Sequence, residues 1–158
     1  MQWWRKQRIV LEIRDVAKDD FIDLLHLLLK FKKEFNDIYP TVSIRKVGLE
    51  IEDHYKKGFI KNAYKDNKLV GSIGAIKSSW WFSDEQFVSE TWFYVLPEHR
   101  DYKTARKLLQ ELIKYSNNMT IQIPVSTGKN TASLYKRMGF KEMDKIEDEL
   151  ENMFDIKD

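Results

Sequence analysis

Apolar residues recur at two different periods along the chain, and the change from one to the other divides it. Positions 21, 24, 25, 28 and 29 share one helical face, which predicts a helix capped by Asp19 or Asp20 and running to about Phe35, with Pro40 beyond its end. A shorter amphipathic helix is expected from Leu49 to about Lys57, with Gly58 placed to end it. Ahead of both, Ile9 to Arg14 alternates weakly and reads as a first strand. After Gly58 the period falls to two. Phe59 to Lys65, a turn at Asp66-Asn67, and Lys68 to Ile76 read as a hairpin, and Phe87 to Leu96, rich in β-formers, reads as a further strand stopped by Pro97.

The helical period then returns. Apolar positions 105, 108, 109, 112 and 113 predict a helix over Thr104 to Tyr115, followed by a strand at Met119 to Val125, a helix at Asn130 to Met138 and a last short strand from Phe140 onward. Three strands in succession and then strands alternating with helices predict an α/β (α+β) fold on a mixed sheet of about six strands, because helical crossovers allow parallel neighbours that hairpins do not.

Composition bounds this picture. At 158 residues, 42% hydrophobic and 33% charged, with three prolines and six glycines, the chain is expected to form one globular domain over 1–158. It has no cysteine, which excludes a disulfide framework, a thiolate zinc site and a covalent thiol nucleophile. His26, His54 and His99 show no ligand spacing as a set, so no metal is expected. The longest apolar run, Leu24 to Leu29 with His26 inside it, is far shorter than the ~20 residues of a membrane span. A soluble, cytoplasmic protein without a membrane partner is the expectation. The net charge of +2 is uneven: residues 144–158 carry seven acidic and two basic side chains, an acidic segment, while residues 1–8 form a basic tail. A basic body suits a ligand with several phosphates or a nucleic acid, and equally an ordinary solvated surface. Nucleic-acid binding through Met1 to Arg8 and its paired tryptophans is the weaker reading, set against a tail whose aromatics pack on the sheet.

Two segments carry candidate chemistry. Pro97-Glu98-His99-Arg100-Asp101-Tyr102-Lys103-Thr104-Ala105 joins a strand to a helix, where unpaired backbone N–H groups and the positive end of the helix dipole suit a pyrophosphate. Arg100 and Lys103 add charge there, and Thr104 adds a hydroxyl. Arg100 and Ala105 stand at the spacing of Arg/Gln-x-x-Gly-x-Gly/Ala, and in this the segment resembles the cofactor loop of the GNAT superfamily of acyl-CoA-dependent N-acyltransferases. The family glycine is replaced by Lys103, which is strained if that position needs positive φ, by on the order of 1 kcal/mol.

The second segment, Asn130-Thr131-Ala132-Ser133-Leu134-Tyr135-Lys136-Arg137-Met138-Gly139-Phe140, resembles the family's last helix and turn, with Gly139 where a helix end favours a left-handed residue. The run from Glu90 to Arg100 looks most like small GNAT proteins of tailed bacteriophages.

The resemblance implies a three-layer fold with helices on both faces and a V-shaped splay between the strands at 87–96 and 119–125, where a pantetheine arm pairs with freed backbone. It implies acetyl-CoA as cosubstrate, contacts through Tyr94, Val95, Leu96, Arg100, Tyr102, Lys103, Thr104, Ala105 and Arg106, and Asn130 on the pantetheine arm. Asn130 is equally placed to cap its helix. Tyr135 is the implied acid for the leaving thiolate, against a half-buried structural tyrosine. Glu90 is the candidate general base, flanked by Trp92 and Tyr94 so that burial raises its pKa, against an outward-facing residue paired with a lysine. The implied activity is direct acetyl transfer to an amine-bearing substrate, small molecule or protein; Tyr39, Trp80, Trp81 and Phe82 are candidates to line its pocket, against ordinary core packing, and a homodimer is compatible. The alternative is a non-catalytic protein of the same fold that binds a macromolecular partner, favoured by Lys103 and the acidic tail.

Overall fold

The computed structural model describes residues 2–4, 8–35, 41–124 and 131–141. The chain divides into two compact units, Met1–Pro124 and Val125–Asp158. The first unit holds five strands, β1 (Leu11–Asp15), β2 (Phe59–Lys65), β3 (Lys68–Ser79), β4 (Gln86–Val95) and β5 (Ile121–Gln122), with three helices, α1 (Phe21–Glu34), α2 (Ile44–Lys57) and α3 (Tyr102–Ser116). The strands lie in the order β1-β2-β3-β4-β5, antiparallel except for the last pair, which is parallel. A hairpin links β2 to β3 through Asp66 and Asn67, both at positive φ (50° and 66°), the left-handed pair that a two-residue turn with right-handed strand twist requires.

Helices cover both faces of the sheet. Leu24, Leu27, Leu28 and Phe31 of α1 and Ile51 of α2 share a core with Ile60, Trp92, Tyr94 and Leu96. The neighbouring residue Phe59 stacks instead on Tyr115 of α3, with ring centroids 4.7 Å apart, so successive side chains of β2 serve opposite layers. Leu108, Leu109 and Leu112 of α3 are fully buried on that second side.

Several boundaries differ from the sequence reading, each for a local reason. Helix α2 begins at Ile44 rather than near Leu49, because the Ser43 side chain accepts the Lys46 N–H at 3.2 Å and caps it. Asp20 does not cap α1: its carboxylate turns back to accept the Ala17 N–H at 2.9 Å. Gly58 ends α2 by size rather than handedness, since its φ is −122° and a Cβ there would lie 2.6 Å from the Ala75 carbonyl oxygen. Strand β5 covers only Ile121–Gln122 of the expected 119–125; Pro124, which has no N–H to donate, follows closely. Five strands are therefore described where about six were expected. Phe140 and Lys141 are not in a strand, and residues 142–158, including the acidic segment, lie outside the described residues.

The second unit contributes α4 (Thr131–Arg137) and its turn. Gly139 has φ +93°, the left-handed conformation expected of it, and the Phe140 N–H donates to the Tyr135 carbonyl at 3.0 Å. The Phe140 ring meets the Tyr135 ring edge-on, with centroids 6.0 Å apart.

Candidate active site

Strands β4 and β5 pair over the two residues of β5. Val88 pairs with Ile121 and Ser89 with Gln122; from Glu90 to Val95, β4 has no β5 partner among the described residues. The splay expected between these strands falls largely on residues 125–130, which lie outside the described residues. Alternation across the β3–β4 ladder decides which peptide groups face the open side. The Leu96 N–H donates to the Val70 carbonyl at 2.8 Å while its carbonyl accepts the His99 N–H at 2.9 Å; by alternation the peptide groups of Tyr94 face β3 and those of Val95 face away from it. Of the three residues nominated for backbone contacts, Val95 turns its N–H away from β3, and its carbonyl is taken by Arg100 Nε.

Glu90 is 6% exposed and lies in the interior rather than on the surface. Burial pushes its carboxyl up to about 8, and the positive charge of Lys32 on α1 only partly opposes the rise. Burial likewise lowers the Lys32 ammonium, with the Glu90 carboxylate acting in the opposite sense. Directly after Glu90 the β3–β4 register slips between Gly74 and Ala75, which leaves Thr91 as an extra residue in β4. The slip lets two consecutive residues meet one helical side chain: His54 of α2 has its Nε2 2.6 Å from Thr91 Oγ1, and its ring lies 4.7 Å from the Trp92 ring. A Cβ on Gly74 would come within 2.4 Å of the Trp92 ring, and the Trp92 Nε1–H donates to Ser72 Oγ at 2.9 Å. The missing side chain at 74 is thus what lets the indole lie across β3.

Beyond Val95 the chain makes a single 3-10 turn, Pro97–His99, and enters α3. Arg100 is held at two points: its Nε donates to the Val95 carbonyl at 2.9 Å and its Nη2 to Glu34 at 2.5 Å. Asp101 caps α3 by accepting the Thr104 N–H at 2.6 Å, and Lys65 Nζ lies 2.7 Å from its carboxylate. Burial acts to raise the Asp101 carboxyl, but its bonds to Lys65 and Thr104 outweigh that and the net shift is downward. Lys103 lies in the first turn of α3 and is not among the residues at positive φ, so the strain considered for a lysine in place of glycine does not arise. Thr104 is fully buried, Lys103 is exposed, and the guanidinium of Arg106 lies 5.7 Å from the centroid of the Tyr102 ring. Arg106 Nε is buried with no hydrogen-bond partner among the described residues, an unmet donor beside a helix start that already carries Lys103. Cations, helix amides and an outward strand edge in succession form a donor set that fits the pyrophosphate and pantetheine of a CoA thioester.

The structure brings Glu90, Tyr94, Val95, Leu96, Arg100, Tyr102, Lys103, Thr104, Ala105 and Arg106 into one continuous strand-turn-helix. Tyr135 stands on α4 in the second unit, and Asn130 and Tyr39 lie outside the described residues. The aromatics nominated for the acceptor meet at the β3–β4 tip, where Trp80 stacks on Phe87 at 4.2 Å and on Phe82 at 5.7 Å, with Trp81 94% exposed. Sequence reasoning missed His54, Thr91, Lys32, Glu34 and Asp101. Only Asp101 carried a local signal, an acidic residue three before Thr104 at a helix start. Among the described residues no group of three or more His, Cys, Asp or Glu is placed to hold a metal ion, and no helix is long and apolar enough to cross a membrane.

Residues 56–142, more than half of the chain, match the family model of the acetyltransferase (GNAT) domain. No curated protein sequence matches. Solved structures show the same fold at low identity. A predicted acetyltransferase with acetyl-CoA from Clostridium acetobutylicum has a TM-score of 0.68 and 16% identity, over 84% of this chain and 91% of its own. An aminoglycoside acetyltransferase from an uncultured soil sample, in complex with sisomicin, has a TM-score of 0.61 and 13% identity, over 83% and 88%. Naa50 of Arabidopsis thaliana, in complex with the bisubstrate analogue CoA-Ac-MVNAL, has a TM-score of 0.62 and 19% identity, over 83% of each chain.

Proposed function

The chain belongs to the GNAT acetyltransferase domain family, whose members are acyl-CoA-dependent enzymes, and we propose that it moves the acetyl group of acetyl-CoA to a primary amine by direct attack in a ternary complex. The observation that carries this reading is Glu90, a buried carboxyl with a pKa of about 8 that suits proton transfer from an amine, on the strand that runs into the cation-bearing junction at Arg100.

A lysine-type ammonium, pKa ~10.4, is neutral in only about one part in 10³ at pH 7, so presenting the free amine costs roughly 4 to 5 kcal/mol. Glu90, directly or through water, relieves part of that cost. Because its own pKa lies near 8, roughly one molecule in ten has Glu90 ionised at pH 7, and turnover rises with pH through that value. Acetyl-CoA supplies the activated thioester. On the protein side, Val95 offers its outward N–H, and Arg100, Tyr102, Lys103, Ala105 and Arg106 are assigned to the cofactor, with Thr104 fully buried behind them and its N–H held by Asp101. Asn130 is assigned to the pantetheine arm and Tyr135 to protonating the leaving thiolate, both by their places in the Asn130–Phe140 segment. Residues 1–158 act as one catalytic domain in the cytoplasm. An amine-bearing acceptor, small molecule or protein, is in keeping with the sisomicin and CoA-Ac-MVNAL complexes of two structural neighbours.

Thermal denaturation with and without acetyl-CoA tests the reading. Ligand at 100 times its Kd stabilises by about 2.7 kcal/mol, a rise of roughly 5–10 °C for a domain of this size. No rise with any acyl-CoA sinks it.

A further inference from the structure

Converting an alkylammonium to an amide removes two protons from nitrogen, one before attack and one as the N–C bond forms. Glu90 accounts for one of them. Within the proposed acetyl transfer, on which this inference rests, we propose that Thr91 is a second catalytic residue, which takes the other amine proton on its Oγ1 while passing its own hydroxyl proton to Nε2 of His54.

The tautomer of His54 follows from its partners. Nδ1 lies 2.7 Å from the main-chain carbonyl oxygen of Glu50, which only accepts, so Nδ1 carries the proton. The Nε2 lone pair therefore faces Thr91 Oγ1, and the 2.6 Å separation has the hydroxyl donating into it. That polarises the oxygen of a residue that is itself exposed, while the His54 ring behind it is 1% exposed. A nucleophile-type hydroxyl, a base and an orienting group in a row is the arrangement by which proteins make a hydroxyl accept and relay protons. The oxygen stands one residue after Glu90, in the slipped stretch of β4 where pairing with β5 has ended. A regular strand would turn Thr91 and Trp92 to opposite faces, and the slip is what lets both meet His54.

The proton count closes. As nitrogen bonds to the acetyl carbon and the C–S bond breaks, the sulfur leaves with the electron pair and is protonated by Tyr135. The amine proton moves to Thr91 Oγ1, the Thr91 proton moves to His54 Nε2, and the imidazolium so formed returns a proton through solvent to the Tyr135 phenolate. The transient charge on His54 is buried, and burial lowers its pKa; the Glu50 carboxylate, 3.6 Å from Nδ1, and Asp53 on the same helix oppose that shift. The residues of β4 that face the ring, Thr91 and Trp92, carry no charge. A base that holds its proton weakly is suited to a relay, which must reset on each turnover.

The test is CoA release, followed with a thiol reagent, from acetyl-CoA with three amines: a lysine-containing peptide, an aminoglycoside and spermidine. Thr91→Val keeps the shape of an exposed side chain and removes only the hydroxyl. We expect it to lower kcat by about 10- to 100-fold with KM for acetyl-CoA unchanged within about twofold, and Thr91→Ser to recover activity to within about threefold. Nitrogen-15 NMR of His54 is expected to show the Nδ1-protonated tautomer, with an Nε2 shift that moves in Thr91→Val and is restored in Thr91→Ser. A Thr91→Val enzyme with wild-type kcat, a serine variant no better than valine, or an Nε2-protonated His54 overturns the relay. A wild type that releases no CoA with any of the amines overturns the acetyl-transfer reading and the relay with it, whereas an active wild type with an unimpaired valine variant overturns the relay alone.

Discussion

Around Glu90 and Trp92, β4 meets α1 and α2 through side chains shut away from water, whereas five residues after Glu90, from Val95 to Arg106, the same strand ends in a junction of mostly exposed, paired charges. In the first region burial raises the pKa of the Glu90 carboxyl, opposed by Lys32, and lowers that of the His54 imidazole, whose nitrogens meet the Glu50 carbonyl and Thr91 Oγ1. In the second, Arg100 is tied to Glu34 and Val95, and Asp101 to Lys65 and the start of α3. The difference separates two requirements on one strand. Proton transfer needs pKa values moved from their solution range, which only burial supplies on this scale; anion binding needs charge and free amides at the surface, where a ligand can exchange with water.

Four experiments press on that division. The largest effect is expected from Glu90→Gln, which removes the proposed base: kcat is expected to fall about 10²- to 10⁴-fold in steady-state assays while the thermal shift with acetyl-CoA persists, because the second region is untouched. Loss of the thermal shift in that variant would mean that the two regions are not separable.

Next is the pH dependence of stability. Glu90 has a folded pKa raised above its unfolded value, so between about pH 4.5 and 8 the folded state binds more protons than the unfolded state. Its contribution is therefore most favourable below the unfolded pKa and declines as pH rises through 8. Chemical denaturation from pH 5 to 9 is expected to show a loss on the order of 2–4 kcal/mol in the wild type that is absent in Glu90→Gln. An identical profile in the two proteins would remove desolvation as the cause.

Third is Gly74→Ala, whose new Cβ meets the Trp92 ring; urea unfolding should show a loss of about 1–3 kcal/mol, with kcat falling as the His54–Trp92–Thr91 contacts shift. The smallest effect is expected from Asp101→Ala. Loss of the cap lowers stability by about 1 kcal/mol, yet removal of an anion from the start of α3 tightens acetyl-CoA binding several-fold by calorimetry. Opposite signs on stability and affinity are the mark of the charged region, and a variant that loses both would assign Asp101 to ligand binding.

Much of the fold was legible along the chain. The hairpin at Asp66-Asn67, the helical face of α3 and the turn at Gly139 are each written in a few adjacent residues, because periodicity, left-handed turn residues and caps act over a handful of positions. Boundaries slipped where a single side chain decided them, as Ser43 did for α2 and Asp101 for α3. Within the site, the strand-turn-helix was readable by spacing, Glu90 was reached through the family resemblance, and its burial was anticipated from its aromatic neighbours. Thr91 was not readable: nothing in Ser-Glu-Thr-Trp announces that the ladder with β3 slips there.

The sequence by itself determined the order of elements, the strand-to-helix junction with its cations, and which carboxyl stands on the strand before it. Only the tertiary structure decided that Arg100 is held by a carboxylate 66 residues away, that Thr91 faces a histidine 37 residues away, and that Glu90 is desolvated beside Lys32. The physical reason is one of range. Backbone preference is set by near neighbours, whereas a proton's affinity for a side chain is set by everything within a few ångströms of it, and the fold alone chooses that company.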